Sequence, residues 1–488
     1  MNGRLRPFLL AALGLGAAAL LLVLLAPSLL SALPSQVRGR LPEEIIRALT
    51  TPLPTALPAP LNAAAATPIS ISKLLPPTAA HATASPTPLP AASTAETPSP
   101  ESSTADPTRQ PAATATEPPQ GYCPYPAGGC EVRDPDRSRF NTLPLALTPE
   151  TFPPTATPTA TPLPPLMQHV DITGLEIVPQ KFNNCGSANM SVVLNYYGAE
   201  DTQTDIANRI KPHYDDRNVS PEELVAYVNE ETGLKAAVFR GGDIKMLRRL
   251  LGAGFPVIIE KGYEPDAWQG WMGHYLTLIG FDNPEQEFNT LDTYLGPWDS
   301  SGRPASYEEV EFRWAQFNNT FIVVYRPFEE EELLALLGPA YTDPATMWQN
   351  AATAAEAVVE KNPDDAFAWF NLGASLTELA RLNGDEALYS AAASAFDQSR
   401  LVGLPPRMMW YQFEPYDAYI ESGRTDEALA LASAVMQSDG GWHVEESHFY
   451  QGLAYEADGR FDLARAAFKR ALDIKPNYPL AQEHLDNL

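Results

Sequence analysis

"KFNNCGSANMSVVLNYYG", Lys181–Gly198, places one of only three cysteines in 488 residues where a polar loop turns into an apolar helix. Met190, Val193, Leu194 and Tyr197 form one apolar stripe at helical spacing, and Ala188, Val192 and Tyr196 form a second. A helix apolar on two sides is a buried one, and Gly198 is placed to end it. Asn183 or Asn184 suits the N-cap, which puts Cys185 in the first turn. There, unpaired backbone amides and the positive end of the helix dipole lower the pKa of a thiol and enlarge its thiolate fraction. Gly186 beside it allows close approach of a substrate. A lone cysteine is more often a small buried apolar side chain, so this stretch alone does not make it a nucleophile without a general base.

The rest of the chain narrows the choice. The other two cysteines, Cys123 and Cys130, lie in "GYCPYPAGGCEVRD", separated by six residues that include two prolines and two glycines. In an exported chain such a pair reads as a small disulfide loop, with two free thiols as the alternative. Export is expected because Phe8–Ala26 is a stretch of nineteen residues without a charge, long enough to span a bilayer. A cleaved signal has a shorter apolar region, so an uncleaved signal anchor is favoured over secretion after cleavage. The N-terminus is expected in the cytoplasm and the bulk of the chain outside. Residues 1–40 are thus read as a transmembrane helix with its flanks. Residues 41–165, rich in proline, threonine and alanine, supply too little apolar area to offset chain entropy and read as a disordered linker. Its reach from the membrane is roughly 60 to 100 Å or more.

A net charge of −27 excludes a phosphate-binding face, so nucleic acid is not an expected partner. From residue 166 to 328 the composition turns globular, enough chain for one core. A general base for Cys185 should be a histidine, and this segment holds His169, His213 and His274. His169 borders the linker and His213 follows Lys211-Pro212 in a polar loop. His274 instead opens "HYLTLIGFD", an alternating run read as a strand that ends in an Asp-Asn-Pro turn. "EFNTLDTYLGP" supplies a second strand ending at Asp292, whose carboxylate is placed to orient the imidazole.

Four stretches, "VPQKFNNCGSANMSVVLNYYG", "GFPVIIEKG", "GHYLTLIGFD" and "LDTYLGP", resemble the papain-like cysteine peptidases that remove double-glycine leaders from bacteriocins. The resemblance covers residues 178–327, with "ASYEEVEFRWAQFNNTFIVVYRP" as a closing helix and last strand. It implies an α+β papain-like domain in which Cys185 is nucleophile, His274 general base and Asp292 orienting acid. It also implies an oxyanion role for the side-chain amide of Gln180. Gln180 lies five positions before Cys185, one fewer than usual in papain-like enzymes, so Asn183 or Asn184 stands as an alternative donor. Trp271 and Gly273 in "DAWQGWMGHY" are candidate substrate contacts together with Gly186, whereas Trp268 and Trp298 read more readily as packing residues. No cofactor or metal is expected, and no "GxxxxGK" phosphate loop is present to couple processing to transport.

Residues 329–488 carry an internal period. In "HFYQGLAYEADGRFDLARAAFKRALDIKPN" the residues Gly452, Tyr455, Ala464, Phe468, Ala471 and Pro476 fall at the spacing of a tetratricopeptide repeat. Steps of 36 residues lead back from Ala464 to Ala428 and Ala392. "WFNLGASL" opens an earlier unit whose turn should carry about seven extra residues. About three repeats form an all-α solenoid suited to a protein partner. The expectation is a membrane-anchored extracytoplasmic cysteine peptidase acting on a peptide or protein. Hydrolysis and acyl transfer both remain open. The alternatives are an inactive peptide-binding module and a repeat-based adaptor.

Overall fold

A computed structural model describes residues 56–61, 166–213, 216–264 and 269–488. Phe8–Ala26 and the Cys123–Cys130 pair lie outside them. Among the described residues no helix is long and apolar enough to cross a membrane.

The first layer begins with β1 (His169–Asp171) and α1 (Cys185–Tyr196). Its second and third helices are α2 (Gln203–Ile210) and α3 (Pro221–Glu231), each started by a capping box, from Thr202 to Asp205 and from Ser220 to Glu223. Then follow β2 (Lys235–Phe239), α4 (Ile244–Gly252), β3 (Val257–Tyr263), β4 (Met272–Asp282), β5 (Glu287–Leu291), β6 (Arg303–Ser306), α5 (Tyr307–Trp314) and β7 (Phe321–Tyr325). The strands make one antiparallel sheet in the order β2-β7-β3-β4-β5-β6, with β1 paired to the far end of β4. β7 and the first three residues of β3 are apolar because the sheet is covered, and Val257–Ile259 and Phe321–Val324 are buried. α1 lies on β4 with every residue from Gly186 to Leu194 buried, as two apolar stripes require. Gly198 follows it at φ 91°, a left-handed conformation that glycine adopts without steric cost.

The second layer is helical. α6 (Glu330–Leu337) puts Leu333 and Leu337 into the core of the sheet domain. α7 (Pro344–Lys361) precedes three antiparallel pairs: α8 (Ala366–Asn383) with α9 (Glu386–Val402), α10 (Glu414–Glu421) with α11 (Thr425–Gln437), and α12 (Glu445–Ala457) with α13 (Phe461–Ile474). α14 (Pro479–Asn487) closes the stack. Ala392, Ala428 and Ala464 are all buried in the second helix of their pair. Gly373 and Gly452 are needed for close packing, since a Cβ there would lie 2.7 Å and 2.4 Å from the rings of Phe396 and Phe468. One expectation is corrected. The turn of the α8–α9 unit is only Gly384 and Asp385, and the extra residues extend the two helices instead. "ELARLN" and "EALYSAAA" are mostly good helix formers, so added length there costs less as helix than as loop.

The helical layer is joined to the sheet domain at both ends. Asn371 donates to the Ala315 carbonyl at 2.6 Å and Asn318 donates to Ser375 at 3.0 Å. At the other end Asn218 donates to Glu446 at 3.3 Å, and Lys475 pairs with both Glu223 and Glu445. The linker expected over 41–165 to be free of packing is held at one point: Leu57 is buried among the repeat helices.

Candidate active site

The helix of the opening stretch starts at Cys185, and Cys185 is the free cysteine among the described residues. α1 delivers it against β4, whose third residue is His274. β5 pairs with β4 and ends at Leu291, so Asp292 emerges beside the histidine. His274 Nε2 lies 3.2 Å from Asp292 Oδ1, with both side chains almost wholly excluded from solvent. That leaves Nδ1 for the Cys185 thiol, which is hydrogen-bonded to the ring. The structure therefore brings together the three residues that the sequence singles out. It does not bring in His169, which pairs with Asp282 at the sheet edge, or His213, which stacks on His443.

The charges in this row are shifted in concert. Burial pushes the Cys185 thiol up, but the hydrogen bond and charge of His274, the Tyr275 backbone amide and the Lys211 ammonium outweigh it, and the thiol ends below its ordinary value. Burial pushes His274 down, yet its hydrogen bonds to Asp292 and Cys185 and their charges bring it up to about 9. Asp292 is desolvated too, but His274 and the amides of Tyr294 and Leu295, which donate at 2.9 and 3.0 Å, hold it well below the carboxylate range. At neutral pH the arrangement favours thiolate, imidazolium and carboxylate in a row.

The residues around the row are held by a second set of bonds. Asn189, four residues after Cys185 in α1, places its amide nitrogen 2.9 Å from the carbonyls of Cys185 and Tyr275, and its oxygen accepts from Thr277 at 2.7 Å. It ties the nucleophile's helix to the histidine's strand. Gln180 is drawn in by Thr293: its backbone N–H donates to the Thr293 carbonyl at 2.8 Å and its Oε1 accepts from the Thr293 hydroxyl at 2.9 Å. With Oε1 so engaged, Nε2 is the end left to donate. The alternative donors are committed elsewhere. Asn183 donates to the Asp216 carbonyl at 2.8 Å, and Asn184 donates to Gln203 at 3.0 and 3.1 Å. Asn184 holds the N-cap position of α1 without capping it through its side chain.

The expected substrate contacts fare differently. Gly186 is buried, and a Cβ there would meet the Tyr275 ring at 3.2 Å and Leu224 at 3.3 Å. Its missing side chain serves the fit of α1 on β4. Trp271 stacks on Phe317 at 5.6 Å, lies 5.5 Å from Phe367 and 6.3 Å from Tyr411, and donates to Gln316 at 2.7 Å. It is a packing residue between the two layers. Gly273 faces the same cluster, where a Cβ would lie 2.8 Å from Phe317 and 3.0 Å from Tyr411. Tyr411, from the repeat region, thus borders the strand residue next to His274. Nothing in local sequence marks it, because the contact joins positions 138 apart, 273 to 411. Asn189 did carry a signal, as a polar residue on a helix otherwise apolar on that side. Trp268 lies outside the described residues and Trp298 is half exposed.

With this geometry in hand, the comparisons agree with the sequence resemblance. The model of the Peptidase_C39 like family matches residues 162–322, and that of the tetratricopeptide repeat matches residues 445–478. Residues 162–322 are thus similar to C39-like peptidases, and residues 445–478, further along the chain, to a tetratricopeptide repeat. Solved structures similar to it include a putative C39-like peptidase from Bacillus anthracis, at 18% identity over 33% of this chain and 98% of that one, TM-score 0.27. The peptidase domain of Streptococcus ComA, a bi-functional ABC transporter, aligns at 15% identity over 31% and 99%, TM-score 0.25. A double glycine motif protease from an AMS/PCAT transporter, solved with leader peptide, aligns at 17% identity over 33% and 99%, TM-score 0.24. No curated protein matches the chain.

Proposed function

We propose that the protein is a cysteine peptidase in which Cys185 is the nucleophile, His274 the general acid and base, and Asp292 the group that orients and charges the imidazole. The observation that carries this reading is the continuous hydrogen-bonded row from thiol to imidazole to carboxylate, with the thiol's affinity for its proton lowered and the imidazole's raised. A buried structural cysteine has no use for that row. The thiolate attacks an amide carbonyl, and the oxyanion is met by the Gln180 amide and the backbone N–H of Cys185 at the start of α1. His274 passes its proton to the departing amine. It then takes one from the water that hydrolyses the thioester, and an amine in place of water would give transfer.

The nineteen-residue apolar stretch and the proline-rich composition after it support a membrane-anchored, extracytoplasmic enzyme. The second reading, an inactive peptide-binding module, is favoured by one contact: Tyr411 covers the Gly273 side of the histidine strand. The two are separated by profiling the full chain against a peptide library with Cys185→Ala as control. Turnover abolished by Cys185→Ala supports the peptidase; peptide binding with no turnover in the unmodified chain supports the module.

A further inference from the structure

A short piece of the proline-rich region, Ala56-Leu57-Pro58-Ala59-Pro60-Leu61, lies in a slot of the repeat layer. The Leu57 amide donates to the Leu404 carbonyl at 2.8 Å, which fixes the piece at one backbone position. Leu57 is buried among Phe370, Phe396, Leu404, Met409 and Leu431. Pro60 is buried as well, whereas Pro58, Ala59 and Leu61 are exposed. Burial at every third residue is the pattern of a polyproline II segment bound by one face.

The slot also has a polar half. Arg400 is almost fully buried, paired with Glu427 at 3.1 Å and bonded to the Tyr419 hydroxyl at 3.1 Å. Its Nε donates to the Pro58 carbonyl at 3.1 Å and its Nη2 to the Ala59 carbonyl at 3.3 Å. A buried guanidinium has five donors to satisfy, and these two carbonyls take two of them. Prolines and an alanine cannot offer side-chain acceptors, so the slot reads backbone carbonyls and one leucine. Gly403, at φ 117°, turns the chain after α9 so that the Leu404 carbonyl faces the piece.

We propose that this slot is a recognition site for an extended Leu-x-x-Pro segment and that residues 56–61 are its built-in ligand, bound in cis. The repeat region is then a clasp for the proline-rich region as well as a wall of the peptidase domain. In the membrane-anchored reading the clasp shortens the tether: residues 27–55 alone separate the apolar stretch from the slot, instead of everything up to residue 165. An outside Leu-x-x-Pro peptide competes with the built-in one and lengthens the tether when it wins.

The test uses the full chain in detergent and a fluorescein-labelled synthetic peptide of residues 53–62, read by anisotropy. Leu57→Asp empties the slot and is expected to bind the peptide at least tenfold more tightly than the unmodified chain. A peptide carrying the same Leu57→Asp change is expected to show no binding. Equal affinity of both proteins for the peptide, or of both peptides for the emptied slot, overturns the proposal. Hydrogen exchange on the unmodified chain gives a second readout: the Leu57 amide is expected to be protected at least tenfold over a free peptide and to lose that protection in excess peptide, and an unprotected amide overturns it. A dimer by light scattering that becomes a monomer in Leu57→Asp assigns the slot to a second copy's segment and overturns the cis arrangement.

Discussion

Asp292 holds its carboxylate 3.2 Å from His274 Nε2, and neither side chain meets solvent to any extent. A buried carboxylate on a buried imidazole raises the histidine's proton affinity and fixes which nitrogen faces the thiol. Asp292→Asn removes the charge and keeps the shape. The expected result is a fall in kcat/KM of about 10²- to 10⁴-fold, with an alkaline limb moved down from about 9. The stability effect has a definite sign. His274 has a folded pKa above its unfolded one, so its contribution is full below the ordinary histidine value and is lost as pH rises through about 9. Denaturant midpoints at pH 6 and pH 9.5 for the unmodified and Asp292→Asn proteins measure it.

The thiol should titrate as half of an ion pair. Iodoacetamide is expected to alkylate Cys185 well below pH 8, where an ordinary thiol is mostly protonated, and His274→Ala is expected to return the profile to that of an ordinary thiol. An unchanged profile in His274→Ala would assign the low pKa to the Tyr275 amide, the Lys211 ammonium and the helix start instead.

Gln180 and Asn184 make opposite predictions. Gln180→Ala is expected to lower kcat about 10²- to 10³-fold with little change in KM, as for the loss of one oxyanion donor. Asn184→Ala breaks two bonds to Gln203 and should act on stability instead, by about 1–3 kcal/mol. Steady-state kinetics beside thermal melts separates the two.

Gly273 is where the repeats press on the site. Gly273→Ala inserts a methyl 2.8 Å from Phe317 and 3.0 Å from Tyr411. Overpacking of this kind should cost about 1–3 kcal/mol and displace Tyr411. Tyr411→Ala in the same chain is expected to relieve the part set by the 3.0 Å contact and leave that set by Phe317, which a double-mutant cycle reads directly.

The junction at the far end carries buried carboxyls. Burial first, then the neighbouring Glu445 carboxylate, raises Asp216 and Glu446 well above the ordinary range despite Lys475. Groups raised in the folded state favour folding at pH below the unfolded carboxylate value and lose that contribution as pH rises. Glu446→Gln is therefore expected to raise Tm at pH 8 and to flatten its fall as pH rises above the ordinary carboxylate range.

How far the sequence led can be traced residue by residue. The rare cysteine at a helix start, the alternating run from His274, the turn after Asp282 and the 36-residue steps of alanine all report local periodicity, which composition and spacing encode directly. They determined an α+β domain with Cys185, His274 and Asp292 as its candidate row, followed by paired helices. The tertiary structure alone decided the rest. Gly186 and Gly273, expected at the substrate, sit against the rings of Tyr275 and Tyr411. Gln180, rather than Asn183 or Asn184, has the amide left to donate, because the partners of each are far away in the chain. Leu57, in a segment that composition marks as unable to fold alone, is buried because the repeats supply the apolar wall and the guanidinium that the segment lacks. Contacts between distant residues depend on the surfaces that meet, and those exist only after the elements have packed.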